Sequence, residues 1–378
     1  MLKVIREGRA RILGPDLEQL ARTGKPYTKA EVFYNPRMVL NRDFTVLFTS
    51  TAFSKGFRIL DLLAGTGVRG IRVTLESNVS VSGVLNDRNK LAYRVMLKNI
   101  VMNKVADRLR VENCDANILA QVIAQWGDFF DYVDIDPFGS PAPFLDGGIR
   151  AVGKEGVVGC TATDTAVLYG RHSWKAFRTY GVHVKALPCG HEVGLRLLIG
   201  YMARQAAKLG YGLEVLASYF EYNYFRVFAK LVRGARKAED TVIKHVKVLY
   251  FCEECLDFSG SKDACSHKRE MIGPMWAGSL GTESICRNML DKLEYTELAS
   301  RKPLKRILSR LLNDIEISCV GYYDLDEISS RLHLPSARVE DVVEKLRELG
   351  YRAGRTHFTP KGVKTDAPAS ELVRIFSS

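Results

Sequence analysis

The sequence predicts an α/β protein built on a doubly wound parallel sheet, followed by a C-terminal α+β region with a winged-helix-like part. Three observations predict it. Short apolar runs alternate with helical patterns from about residue 57 to 230. The first four runs carry an acid near their C-terminal ends (Asp61, Asp87, Asp115, Asp136) at intervals of 21 to 28 residues, close to one βα unit. A glycine-rich turn, "LDLLAGTGVRGIR", follows the first run, where a strand passes into a helix.

The elements follow in order. "FRILDLL" (57–63), "VSGVLND" (81–87), "LRVENCD" (109–115), "FDYVDID" (130–136) and "EGVVGCTAT" (155–163) read as five buried strands, whose ligands would bind beyond their carboxyl ends. A basic stretch, "RGARKAED" (233–240), breaks the alternation and reads as a linker. Residues 322–360 read as helix, turn, helix and a β-like hairpin. Ser336 is the expected N-cap of the second helix, and Val339, Val342, Val343, Leu346 and Leu349 its apolar stripe.

At 378 residues, 46% apolar and 26% charged, the chain has the composition of a soluble globular protein with two or three cores. Its net charge of +12 suggests a polyanionic partner. There is no run of 18 or more apolar residues, so no membrane span is expected. "MLKVIREGRARILGP" lacks the apolar core of a secretion signal, so the expected location is cytoplasmic. Eight scattered cysteines are too sparse for a secreted disulfide scaffold. Neither an internal repeat nor an obligate protein partner is evident.

The glycine turn fits two cofactors. Gly65-x-Gly67-x-x-Gly70 with Asp87 about 20 residues on matches a dinucleotide fingerprint. A methyl donor, S-adenosylmethionine, fits more of the acids. Asp61 ends the first strand, near where the donor's methionine end would lie. Asp87 ends the second and can accept from both ribose hydroxyls. Asp115 ends the third and can accept from the adenine amine, with the Ala116 N–H meeting a ring nitrogen. One such acid would read as a helix N-cap, but three in strand order do not.

The fourth run ends in Asp136-Pro137-Phe138-Gly139. Enzymes that methylate exocyclic amines place an Asp/Asn-Pro-Pro-aromatic loop at this point. A base amine is a poor nucleophile because its lone pair is delocalised into the ring. The Asp136 carboxylate and Pro137 carbonyl can hold its two N–H bonds and aim the lone pair, while Phe138 stacks on an extruded base. The aromatic residue comes one place earlier here than in the broad motif.

These motifs, with "FYNPRMVLNRD" (33–43), "CTATDTAVLYG" (160–170), "HEVGLRLL" (191–198) and "GPMWAGSL" (273–280), make the chain resemble, almost end to end, the archaeal tRNA guanine-26 N2-dimethyltransferases. The resemblance implies a Rossmann-like methyltransferase fold and mono- or dimethylation of N2 of guanosine 26 in tRNA. It adds Arg37 and Arg69 to Gly65, Asp87, Asp115 and Ala116 as donor-binding residues, and makes Asp136, Pro137 and Phe138 the guanine site. It implies three segments: 1–56, contributing to the cofactor site; 57–235, the methyltransferase domain; and 240–378, a tRNA-binding domain. His191 and Glu192, ahead of a long helix, read as packing and N-terminal capping residues, with reach into the site the alternative.

Cys252-x-x-Cys255 followed by Cys265-x-His267 has the ligand types of a structural zinc site; reduced thiols under a loop, or a disulfide, are the alternatives. In the tail, Arg338, Lys345, Arg347, Arg352 and Arg355 could grip phosphates, and the resemblance implies that they clamp tRNA by its shape and backbone. The rival functions are a DNA adenine-N6 methyltransferase, a nicotinamide oxidoreductase and a non-catalytic winged-helix regulator.

Overall fold

A computed structural model describes residues 2–22, 24 and 30–377. Residues 1, 23 and 25–29 of the expected N-terminal segment, and 378 of the tail, lie outside the described residues. The chain divides into two compact units: Met1–Pro137, Pro143–Cys160 and Asn288–Lys305 form the first, and Phe138–Ala142, Thr161–Arg287 and Arg306–Ser378 the second.

The first unit opens with a hairpin, β1 (Leu2–Glu7) and β2 (Ala10–Pro15), then a short helix α1 (Leu17–Arg22), a 3-10 turn (Pro36–Met38) and α2 (Val39–Ala52). The alternation then begins: β3 (Phe57–Asp61), α3 (Val68–Glu76), β4 (Val81–Asn86), α4 (Lys90–Met102), β5 (Leu109–Glu112), α5 (Ala116–Trp126), β6 (Phe130–Ile135), α6 (Ala142–Ala151) and β7 (Val152–Ala162). These five strands pair in parallel in the order β5-β4-β3-β6-β7. The expected doubly wound sheet is therefore present, and its strand order reverses between β3 and β6. At such a switch point the loops leave in opposite directions and open a crevice for a ligand. Strand interiors are almost wholly buried, with Ile59, Leu60, Val84, Leu85, Tyr132, Val133, Ile135 and Val158 in the core. That burial explains why they appear in sequence as continuous apolar runs.

A buried ion cluster fastens the N-terminal hairpin to the helices. Glu7 accepts from Arg42 Nε at 2.6 Å, Arg72 Nη1 at 2.9 Å and the Tyr34 hydroxyl at 2.8 Å. Burial alone would raise this carboxyl, but Arg42 and Arg72 outweigh it and hold it at about 2. Because the folded value lies below the unfolded one, the stabilisation is complete above about pH 4.5 and is lost as pH falls toward 2. The Glu7→Gln variant is expected to lose about 3 kcal/mol in urea unfolding at pH 7 and almost nothing at pH 2. An equal loss at both pH values would refute the ionic account.

The second unit carries α7 (Thr165–Leu168), α8 (Ser173–Tyr180) and α9 (Gly190–Lys208), then the long antiparallel pair β8 (Tyr211–Glu221) and β9 (Tyr224–Arg233). The basic stretch read as a linker is instead the start of α10 (Ala235–His245). Ala238 and Thr241 are buried there, and the Thr241 hydroxyl accepts from Leu213 N. A three-stranded sheet follows, from β10 (Val246–Cys252), β11 (Asp257–Ser259) and β12 (Arg269–Trp276). Helices α11 (Glu283–Leu293) and α12 (Arg301–Glu316) come next.

The tail runs β13 (Tyr323–Asp324), α13 (Leu325–Leu332), α14 (Val339–Glu348), β14 (Ala353–Arg355), β15 (Gly362–Thr365) and α15 (Ala369–Ser377). Its strands form a small antiparallel sheet in the order β13-β15-β14. Ser336 is not the N-cap of α14: its hydroxyl donates to Asp326 Oδ1 at 2.6 Å, and Arg338 stands at the cap, its side chain making no capping bond and pairing with Asp341 at 3.0 Å. The acids Glu340 and Asp341 complement the helix dipole instead. Val339, Val342, Val343 and Leu346 are buried as expected, whereas Leu349 is 50% exposed because the helix has already ended.

His191 and Glu192 lie inside the first turn of α9 and cap nothing. His191 stacks on Phe220 with centroids 4.4 Å apart. Glu192 is fully buried, accepting from Arg196 Nε at 2.7 Å and Lys364 Nζ at 2.5 Å. Burial opposes its charge, but Lys364 and Arg196 prevail and hold its carboxyl at about 2.

Candidate active site

The switch point is assembled from the carboxyl ends of β3, β4, β5 and β6. After β3 the chain turns through Gly65 and Gly67, with φ of +56° and +76°, before α3 begins. Only glycine takes such angles cheaply, and a Cβ on Gly65 would stand 3.0 Å from the Phe33 carbonyl oxygen. The turn thus brings bare backbone to the head of a helix, a setting suited to a polar ligand.

Asp87, just beyond β4, sets this turn. One carboxylate oxygen accepts the Gly65 N–H at 2.9 Å, and the other accepts the Asn89 N–H at 2.9 Å. Asp115 caps α5, accepting from Asn117 N at 2.9 Å and Ile118 N at 3.4 Å through Oδ1, and Ala116 opens that helix. Arg37 is exposed in the 3-10 turn. Asn86, which the sequence reading passed over, ties three strand ends together. Its Nδ2 donates to the Leu62 and Cys114 carbonyls at 3.0 and 3.1 Å, and its Oδ1 accepts from Cys114 N at 3.1 Å. The signal available in the sequence was an asparagine directly before Asp87.

Arg69, placed by the family resemblance at the donor, is buried in α3 and bonded to acids. Its Nε pairs with Asp134 at 3.1 Å, and its Nη2 bonds Asp136 Oδ2. Its Nη1 donates to Asn41 Oδ1 at 2.7 Å and Thr45 Oγ1 at 2.8 Å, both on α2. Asp134 also accepts the Tyr132 hydroxyl at 2.5 Å. Asp61 is buried beside this group. Burial and the neighbouring Asp134 push its carboxyl well above the usual range, with Arg69 pulling the other way and Asp136 adding to the rise. Asp134, Asn41 and Thr45 were missed. The acid two places before Asp136 shares its strand face and was the clue to Asp134.

Asp136 is partly exposed at the end of β6, with Pro137 buried behind it. Phe138, next in the chain and belonging to the second unit, is 57% exposed. Gly65, Arg69, Asp87, Asp115 and Ala116 are thus gathered with Asp136 and Pro137 at one end of the first unit's sheet.

In the second unit, Cys252, Cys255, Cys265 and His267 bring one ligand atom each within 4.8 Å of one another, and all eight cysteines are free thiols. Sulfur atoms of Cys252 and Cys265 are 3.7 Å apart, and His267 Nδ1 lies 3.4 Å from Cys255 Sγ and 3.8 Å from Cys252 Sγ. A tetrahedral zinc ion sets sulfur–sulfur spacings of about 3.8 Å and sulfur–nitrogen spacings of about 3.5 Å. The residues fit the ion. Arg269 donates to Cys265 Sγ at 3.2 Å, which favours a thiolate there.

A switch-point crevice holding a glycine turn, ordered strand-end acids and an Asp-Pro loop defines a Rossmann-like methyltransferase architecture. The profile of the family described as N2,N2-dimethylguanosine tRNA methyltransferase matches residues 8–377. A tRNA (guanine(26)-N(2))-dimethyltransferase of Pyrococcus abyssi is 38% identical, covering 98% of each chain. One from Pyrobaculum aerophilum is also 38% identical, covering 98% of this chain and 95% of its own. The solved structure of Trm1 from Pyrococcus horikoshii with S-adenosyl-L-methionine superposes with a TM-score of 0.87 at 34% identity, covering 99% of both chains. The chain belongs to the N2,N2-dimethylguanosine tRNA methyltransferase family.

Proposed function

We propose that this protein transfers methyl groups from S-adenosylmethionine to the exocyclic N2 of guanosine 26 in tRNA, once or twice. The observation that carries the reading is Asp136-Pro137 at the end of β6, at the switch point of the sheet, in a chain matched by its family over nearly its whole length.

The donor supplies an electrophilic sulfonium methyl when bound; the protein's task is to orient and to balance charge. Asp87 would accept from the ribose hydroxyls, Asp115 from the adenine amine and the Ala116 N–H would meet the ring. Gly65 admits the ligand to the backbone, and Arg37 meets the methionine carboxylate. Arg69 engages Asp136 Oδ2, which leaves Oδ1 to accept from the guanine amine beside the Pro137 carbonyl. In the first transfer both N–H bonds are held, and in the second the one that remains, which aims the nitrogen lone pair at the methyl group. Phe138 would stack on the base once it leaves the tRNA stack.

The direct test is a nuclease digest of unmodified tRNA after incubation with enzyme and donor, read by mass spectrometry. N2-methylated and N2,N2-dimethylated guanosine from position 26 are expected. Methylation of another base, or of duplex DNA in preference to tRNA, would remove the reading. Asp87→Ala is expected to weaken S-adenosylhomocysteine binding by roughly 30- to 150-fold, or ~2–3 kcal/mol, because a charged acceptor and the anchor of Gly65 go together. A dissociation constant equal to that of wild type would refute the assignment.

The Cys/His cluster is proposed as a structural zinc site pinning the turn after β10 to the loop before β12. About one zinc per chain is expected by atomic emission, and Cys265→Ser should lose the metal and lower the melting point. Purified protein without zinc, whose melting is unaffected by chelators, would show a bare thiol cluster. The basic tail is proposed to clamp tRNA phosphates; no described helix is long and apolar enough to cross a membrane.

A further inference from the structure

Helix α8 and the turn leading into it, between "CTATDTAVLYG" and "HEVGLRLL", have no place in the chemistry above. Ala176 and Tyr180 face inward, while Arg171, Trp174, Lys175, Phe177 and Arg178 face solvent. Trp174 is 85% exposed and Phe177 46% exposed, and the two rings lie edge to face at 6.5 Å. Water gains little from an indole and a phenyl ring side by side, so such a pair marks a surface used for binding. No acid occurs in the sequence between Asp164 and Glu192, so the face is cationic as well as aromatic.

The inner side of this helix is fastened to the segment that follows Asp136-Pro137. The Tyr180 hydroxyl shares its proton between both Asp164 oxygens at 2.9 Å and accepts from Ser140 Oγ at 2.7 Å. Gly139 N–H donates to Thr163 Oγ1 at 2.7 Å, and Thr163 N–H returns to the Gly139 carbonyl at 2.9 Å. Arg204 Nη2 donates to the Tyr180 carbonyl at 2.6 Å and fixes the helix end. Within the second unit, α8 and the Phe138–Ala142 segment are therefore one rigid assembly.

We infer that α8 is an RNA-docking helix. Resting on the function proposed above, its occupant is the tRNA being methylated: Trp174 and Phe177 stack on bases not paired in the bound tRNA, and Arg171, Lys175 and Arg178 meet the adjoining phosphates. Aromatic faces accept any base and cations accept the backbone, so this grip positions the RNA without reading its sequence.

The test uses the full-length protein and an unmodified tRNA transcript. Trp174→Ala and Phe177→Ala should each raise the KM for tRNA about tenfold, the size expected for loss of one base–aromatic stack. They should leave kcat within about twofold and the KM for the donor unchanged. Lys175→Ala with Arg178→Ala should lower the slope of log affinity against log salt by somewhat less than one per residue. In a Trp126→Phe background, where the other tryptophan, Trp276, is buried, tRNA should quench the remaining fluorescence, and Trp174→Phe should abolish the quenching. Wild-type KM values in folded variants, or no quenching while the wild type still methylates tRNA, would overturn the docking helix alone. A wild type that neither binds nor methylates tRNA would overturn the proposed function beneath it.

Discussion

Asp136→Ala is expected to cut methyl transfer by about 10² or more while leaving donor binding within a few-fold of wild type, as when an orienting group is taken from a reacting centre. The neighbourhood of Asp136 tolerates the change. Arg69 keeps its 3.1 Å pair with Asp134 and its bonds to Asn41 and Thr45, so no charge is stranded. Arg69 Nη2 loses its bond to Asp136, and the guanine amine loses the acceptor proposed for it. Asp136→Asn separates two contributions, because its amide oxygen can still accept while the charge is gone. It should fall between wild type and alanine. A titration of each variant with S-adenosylhomocysteine, beside single-turnover rates on tRNA, checks the division. Equal losses of binding and rate would make Asp136 a cofactor residue, and unchanged turnover would dismiss the mechanism.

Removing Arg69 is expected to have the larger effect on the fold. Arg69→Met leaves Asp61, Asp134 and Asp136 without their shared cation in a buried site, a loss of ~3–5 kcal/mol for breaking a buried ionic group from one side. The pH dependence has a definite sign. Asp61 already has a folded value raised above its unfolded 3.8, so its contribution to stability falls as pH rises between the two. Wild type and variant share that fall up to about pH 8. Without Arg69 the rise grows, so the additional impairment from Asp61 should appear above about pH 8 and be larger near pH 9 than at pH 7. Asp61→Asn added to Arg69→Met should recover part of the loss near pH 9. Urea midpoints at the two pH values measure it, and a loss independent of pH would contradict the carboxylate account.

Much of the sheet and part of the site were legible because parallel strands bury both faces, and their ends are marked by the first polar residues to appear. Asp61, Asp87, Asp115 and Asp136 were found in that way. Asp134 and Asn86 were not, since a strand pattern gives position along the chain and says nothing of the partner across the crevice. The same holds for Arg69, whose position at the head of α3 was visible while its bonds to Asp134, Asp136, Asn41 and Thr45 were not. Local rules failed where a tertiary contact competed. Ser336 gave up the cap for Asp326, and charged residues 235–240 formed a helix because Ala238 and Thr241 found a surface to pack on. Lys364 is the extreme case. A lysine in a tail strand reads as solvated, yet its ammonium is buried against Glu192 and the Gly321 carbonyl.

That last pair has a consequence for how the molecule is made. Glu192 and Lys364 are separated by 172 residues. At a synthesis rate of about 5–20 residues per second, the glutamate leaves the ribosome roughly 9–34 seconds before its lysine exists. Arg196 emerges with it, but the remaining cation arrives only 172 residues later. Until then the packing around α9 would bury a carboxylate with half its compensation, which favours keeping the region open. Every chain that stops short of residue 364 keeps that defect permanently. A single downstream lysine thus licenses the closing of a core laid down long before it.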